Sequence, residues 1–246
     1  MLLFQLFCVI INVNSITAFN HHKRKEEKTM SKNHVEKIKC PKCSHECDFT
    51  VWENVNTSDD LELKELVRSR KAFTCTCPEC GNEAVILYPM YYYQPESNIL
   101  IHFIPEYSDA AVNFIKELKH EPYDESKPLA ENCRKRIVFN PNQFLEKLLI
   151  TDEKLDDRVV ELMKLFIIAE IMKKDSDHKI NEIYLNKEQN GALKFAILFN
   201  NGEWGRTEFI RADYDLIVKK FTVDLLTDTE VSITTKWAMS VLNKKL

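Results

Sequence analysis

The chain has 246 residues, 44% of them hydrophobic and 29% charged, with a formal net charge of -4. That composition describes a folded globular protein, and the length suits two domains of ordinary size. Four glycines include neither a GxGxxG nor a GxxxxGK[ST] phosphate loop, and the acidic balance gives no general pull towards nucleic acid.

Residues 1–19, "MLLFQLFCVIINVNSITAF", are uncharged and run into "NHHKRKEEKTM". Three readings compete. A secretory signal would explain the apolar core, but a basic n-region and an A-x-A site are missing. A membrane anchor would be just long enough, with Lys23, Arg24 and Lys25 on the cytoplasmic side. The preferred reading is an upstream mis-start, with translation beginning at Met30. In a bacterial gene, residues 25–29 can be encoded by a purine-rich ribosome-binding stretch just ahead of that Met codon. Residues 1–29 are therefore set apart as a non-native extension and the protein is expected in the cytoplasm. Export or membrane contact follows only if that segment is translated.

Eight cysteines stand at 8, 40, 43, 47, 75, 77, 80 and 133. In a chain of this length CxxC pairs point to metal binding, not to a disulfide framework. "Cys40-Pro-Lys-Cys43-Ser44" and "Cys77-Pro-Glu-Cys80-Gly81" each have the form of a zinc knuckle. Two intervening residues let both sulfurs of a tight turn reach one ion. Proline fixes the start of the turn, and a residue tolerant of positive φ follows the second cysteine. Cys40, Cys43, Cys77 and Cys80 are the expected ligands of one tetrahedral zinc. Iron is the competing metal, because tetrahedral S₄ geometry does not choose between the two and rubredoxins hold iron between similar knuckles. Cys47 and Cys75, on the strands leaving and entering the knuckles, are expected to be accessory thiols. They read first as small hydrophobes, with a substitute ligand set or a redox pair as alternatives. His45 reads as an exposed loop residue.

Between the knuckles, "TSDDLELKELVRSRK" has a Ser/Asp cap and predicts a short helix carrying Leu61, Leu63 and Leu66. "EAVILYPMYYY" and "NILIHFIP" then read as two strands joined by "QPES", with Pro89 marking an edge strand or bulge. Tyr88, Tyr91, Tyr92 and Tyr93 could stack bases. Residues 30–105, however, hold 8 Lys and Arg against 11 Asp and Glu, the wrong sign for phosphate, so a core or protein-contact role is expected.

"SDAAVNFIKELKH" predicts a short helix, and "EPYDESKPLAENC" a polar link; residues 107–133 are the expected inter-domain segment. "NPNQFLEKLLI" has an Asn–Pro helix start. "KLDDRVVELMKLFIIAEIMKK" follows as an apolar helix with Val159, Leu162, Phe166 and Ile167 for a core, interrupted by Glu161, Lys164 and Glu170 and so unsuited to a membrane. "KINEIYLN", "ALKFAILFN" and "EWGRTEFI" predict an antiparallel meander, and "ADYDLIVKKFTVDLL" and "TTKWAMSVLNKKL" closing helices. The expected architecture is α+β: a zinc-ribbon-like β domain over 30–106, then an α+β domain over 134–246.

"CPKC" at 40–43, "VWENVNTSDDLELKELVRSRKAFTC" at 51–75, "CPEC" at 77–80 and "ILYPMYYYQPESNILIHFIPE" at 86–106 together resemble the CpXC domain family, which is named for its paired Cys-Pro-x-Cys motifs. Residues 134–246 also resemble the second part of longer members. The resemblance implies an uncharacterised prokaryotic protein with zinc knuckles, and it carries a role only to Cys40, Cys43, Cys77 and Cys80. No GxSxG or HExxH occurs and no Cys–His pair is placed for activation, so no catalytic residue is assigned. Asp156-Asp157-Arg158 reads as a helix cap and Arg206 of Trp204-Gly-Arg206 as solvent-facing. The expected function is a structural-zinc protein acting as a protein-interaction or regulatory module, with protein or self-association as the partner. Electron transfer at an iron site or a reactive cysteine pair is the alternative, and a nucleic-acid-binding regulator a second one.

Overall fold

The computed structural model describes residues 8–10, 31–59, 61–105, 133–174 and 179–244. The chain divides into two compact units, the first reaching Pro141 and the second running on from Asn142.

In chain order the first unit holds β1 (Cys8–Ile10), β2 (Lys32–Lys39), β3 (Glu46–Asn56), α1 (Leu61–Arg68), β4 (Thr74–Thr76), β5 (Glu83–Leu87), β6 (Met90–Gln94), β7 (Ile99–Phe103) and β8 (Arg134–Val138). Its main sheet is mixed, in the order β2-β3-β6-β7-β8, and a smaller sheet runs β1-β5-β4. β2 and β3 are antiparallel with Ile38 opposite Cys47, and β4 and β5 are antiparallel with Cys75 opposite Ala84. Each hairpin-like pair therefore flanks one knuckle. Of the segment set apart as an extension, Cys8–Ile10 pair in parallel with Val85–Leu87; its remaining residues lie outside the described ones.

The run 83–93 was expected as one strand, with Pro89 marking an edge strand or a bulge. It is two strands in different sheets, with the chain crossing between them at Tyr88-Pro89. Proline has no N–H for a ladder, so the switch falls where pairing could not continue. β6 is then a central strand, and Met90, Tyr92, Tyr93 and Gln94 are all buried. Alternation in β3 turns Cys47, Phe49 and Val51 inward. Phe49 and Phe73 pack on Tyr88 with ring centroids 5.9 and 5.3 Å away, and the Tyr88 hydroxyl donates to the carbonyl of Ala72 at 2.7 Å. α1 buries Leu63 and Val67, one turn apart, and leaves Leu61 exposed. Its Arg68 donates to the Tyr92 hydroxyl and, at 3.0 Å, to Gln94 Oε1.

The second unit comprises α2 (Pro141–Asp152), α3 (Asp157–Lys174), β9 (Ile180–Lys187), β10 (Leu193–Phe199), β11 (Trp204–Glu208), α4 (Arg211–Lys220), α5 (Thr222–Thr227) and α6 (Thr235–Asn243). β9, β10 and β11 form the expected antiparallel meander. Its core joins Val159 and Leu162 of α3 to Phe195 of the sheet, to Ile217 and Trp237 of the later helices and to Phe221 between α4 and α5. Phe166, expected in that core, is at the surface, because continuous burial along α3 stops at Lys164. With both units the protein is α+β, as read from the sequence.

The second domain was expected to open at 134. Residues 134–138 instead form β8, which pairs in parallel with β7 in the first unit. The helix read over "SDAAVNFIKELKH" lies outside the described residues, as does nearly all of the link. Among the described residues no helix is long and apolar enough to cross a membrane.

Candidate metal centre

Both knuckles are built by the same two hydrogen bonds. In the first, the N–H of Ser44 donates to the Cys40 carbonyl and the N–H of Cys40 to that of His45, each at 2.9 Å. In the second, Gly81 donates to Cys77 and Cys77 to Asn82, again at 2.9 Å. The residue after each second cysteine is left-handed, Ser44 at φ 61° and Gly81 at φ 67°. Glycine adopts that conformation freely, whereas a residue with a Cβ gives up about 1–2 kcal/mol.

These turns face each other. Cys40 Sγ lies 3.7 Å from Cys80 Sγ, Cys43 Sγ lies 3.6 Å from Cys77 Sγ, and all four sulfurs are within 4.8 Å of one another. Thiolates bound about 2.3 Å from a tetrahedral ion stand roughly 3.8 Å apart, so this group could hold one metal ion. All four positions around such an ion would be thiolate, with none left for water. The structure thus brings together the four cysteines that the motif singled out.

Cys40 and Cys77 are buried, while Cys43 is exposed and Cys80 half-buried. The backbone N–H of Cys43 holds the Cys40 thiol below its ordinary value, outweighing burial, and the N–H of Lys42 assists. Burial alone would raise Cys77, but the N–H groups of Cys80 and Glu79 bring it down to about 6. The first cysteine of each knuckle is thereby favoured as thiolate by its own turn, the state that binds metal.

Cys47 and Cys75 lie outside the four-sulfur group. Both are buried, and with Cys40, Cys77, Ile38, Pro41, Asn82 and Ala84 they line a small cavity of about 10 Å³. Burial first, and then the Cys77 side chain, push the Cys47 thiol up to about 11; burial likewise raises Cys75. Cys47 Sγ donates to the His45 carbonyl at 3.7 Å. His45 itself is exposed and takes part through its backbone alone.

The other singled-out residues are structural. Tyr88, Tyr92 and Tyr93 are buried, and Tyr91 stacks on His102 with centroids 4.0 Å apart. Asp156 accepts the Arg158 N–H at 2.9 Å, a cap as expected, and the exposed Arg206 faces Glu188 at 3.4 Å. A second charged cluster escaped the sequence reading. Lys164 Nζ lies 2.7 Å from both Glu146 and Glu161, and Lys147 Nζ lies 2.9 Å from Asp157, all five side chains being buried. The three-residue spacing of Glu161 and Lys164 was a visible signal, but Glu146 and Lys147 come from another helix.

A family model described as CpXC protein matches residues 38–164. The match takes in both knuckles and continues through β8 and α2 into α3. No curated protein matches the chain, and no solved structure does.

Proposed function

This chain belongs to the CpXC family, and from that premise we propose that it is a structural-zinc protein whose first unit is a protein-interaction or regulatory module. The observation that carries the reading is the group of four sulfurs within 4.8 Å, supplied by two turns of matching hydrogen bonding. A closed tetrathiolate site has no open position at which to activate water, so its ion acts by joining chain segments. Here it would tie the end of the β2–β3 hairpin to that of β4–β5, across the 33 residues separating Cys43 from Cys77. Zinc suits that task because it has no redox chemistry of its own. Thiols this crowded call for a reducing compartment, which favours the cytoplasm. The expected partner is another protein or a second copy of this chain.

Metal analysis of protein purified without added metal provides the test. One zinc per chain and a colourless solution are expected. A red protein containing iron would replace this reading by electron transfer, and a metal-free but fully folded one would refute the site.

A further inference from the structure

β5 carries the run Val85-Ile86-Leu87, and all three side chains are buried. Successive residues of a strand point to opposite faces, so three buried neighbours in a row mean that β5 is covered on both faces. Such a strand sits inside the fold, where the backbone groups along each of its edges need partners. On one edge β4 reaches only from Glu83 to Val85. Among the described residues, Ile86 and Leu87 find their ladder partners in β1 alone, Ile86 opposite Val9 and Leu87 opposite Ile10. The outer edge of β5 is thus built to be covered by a strand.

Its occupant is short. Three register pairs hold β1, whose residues are uncharged and include two β-branched side chains in succession. So small an edge strand makes few ladder bonds and opens well below the cost of unfolding the whole unit. We infer that the outer edge of β5 is a strand-acceptor site for an extended, uncharged, β-branched peptide segment running parallel to it, with Cys8–Ile10 as the built-in occupant. In this role the edge rests on the reading of the first unit as a protein-interaction module, whose docking site it is. Main-chain hydrogen bonds along Ile86 and Leu87 supply affinity, and side chains on alternate faces supply selectivity. Tethering gives Cys8–Ile10 a local concentration that a free peptide in dilute solution does not reach, so the segment blocks the edge in cis. A partner strand enters where that segment is displaced or absent.

The test compares the full chain with its Val9→Asp/Ile10→Asp variant, in which adjacent positions carry charge to both faces of the strand. The probe is a fluorescein-labelled peptide copying residues 5–13, with serine in place of Cys8 and a lysine tag for solubility; a scrambled peptide is the control. Fluorescence anisotropy should show the variant binding the peptide roughly tenfold or more tightly than the wild-type chain, and neither chain binding the scrambled one. By hydrogen exchange, the amide of Ile86 or Leu87 that faces β1 should be slow in wild type, several-fold faster in the variant and slow again with peptide, β7 being unchanged throughout. No binding to the variant, equal binding to both chains or equal binding of the scrambled peptide would overturn the inference. A wild-type chain that is dimeric with the same protection would assign the strand to a second copy and overturn its occupancy in cis. If the variant fails to fold, exchange in the wild-type chain decides, because fast exchange at both Ile86 and Leu87 would leave the edge without a strand. Metal content is measured on the same samples: peptide binding without zinc strikes the metal reading alone, and zinc without peptide binding strikes the docking edge alone.

Discussion

Ser44 and Gly81 hold the same turn position at nearly the same φ, yet only one of them is a glycine. A Cβ added at Gly81 would meet nothing within 4 Å, so its substitution tests backbone strain alone. Gly81→Ala should cost about 1 kcal/mol, and Ser44→Gly should gain about 0.5–1 kcal/mol, both read from chemical denaturation of the metal-loaded protein. A second residue-scale test separates the six cysteines. Serine at 40, 43, 77 or 80 should abolish stoichiometric metal retention, and serine at 47 or 75 should leave it intact. Loss of metal from a Cys47 or Cys75 variant would mean that the ligands are wrongly assigned. The four-and-two division was legible because CPxC spacing is a local property of one turn. The fate of the tyrosines was not, since "YPMYYY" reads the same whether its rings face solvent or, as here for three of them, the core.

At the scale of elements, α3 shows how composition misleads. Glu161 and Lys164 look like interruptions of an apolar helix, yet they are among its most buried side chains. Their partners on α2 make the burial tolerable, for a buried charge without a partner is strongly destabilising. Lys164→Met should therefore cost about 3–5 kcal/mol by leaving Glu146 and Glu161 uncompensated, and adding Glu146→Gln should recover part of it. Urea unfolding of the single and double variants measures this; a double variant worse than the sum of its parts would contradict the pairing. Burial alone would lower Lys164, but Glu146 and Glu161 outweigh it and push the ammonium up to about 12. A raised lysine contributes fully below its unfolded value of 10.5 and loses its contribution as pH climbs through about 12, so wild type should lose more stability than Lys164→Met over that interval. At the other end of the scale, burial would raise Asp156, but Arg158 reverses that and holds it below 3.8. Its contribution should persist above pH 4 and fade on further acidification, and Asp156→Asn should flatten the decline in urea midpoint.

At the scale of the whole molecule, two compact units with separate cores predict separable responses to metal removal. Chelation should abolish the near-ultraviolet signal and cooperative melting of the first unit while most of the helical circular dichroism, contributed by α2–α6, survives. A melting profile unchanged after complete metal removal would refute the structural role. What the sequence by itself determined here is what depends on neighbours along the chain: the two knuckles, the positive-φ residue after each, the helix starts, the meander and the α+β class. Local spacing sets turn shape and hydrophobic period, and these can be read without a partner segment. What only the tertiary structure decided is pairing at a distance. It put β8 beside β7, split the run at Pro89 between two sheets, gave the buried lysines their carboxylates and placed Cys47 and Cys75 on the lining of one small cavity. Such pairings are chosen by which surfaces exclude water together, and that choice is made over the whole fold.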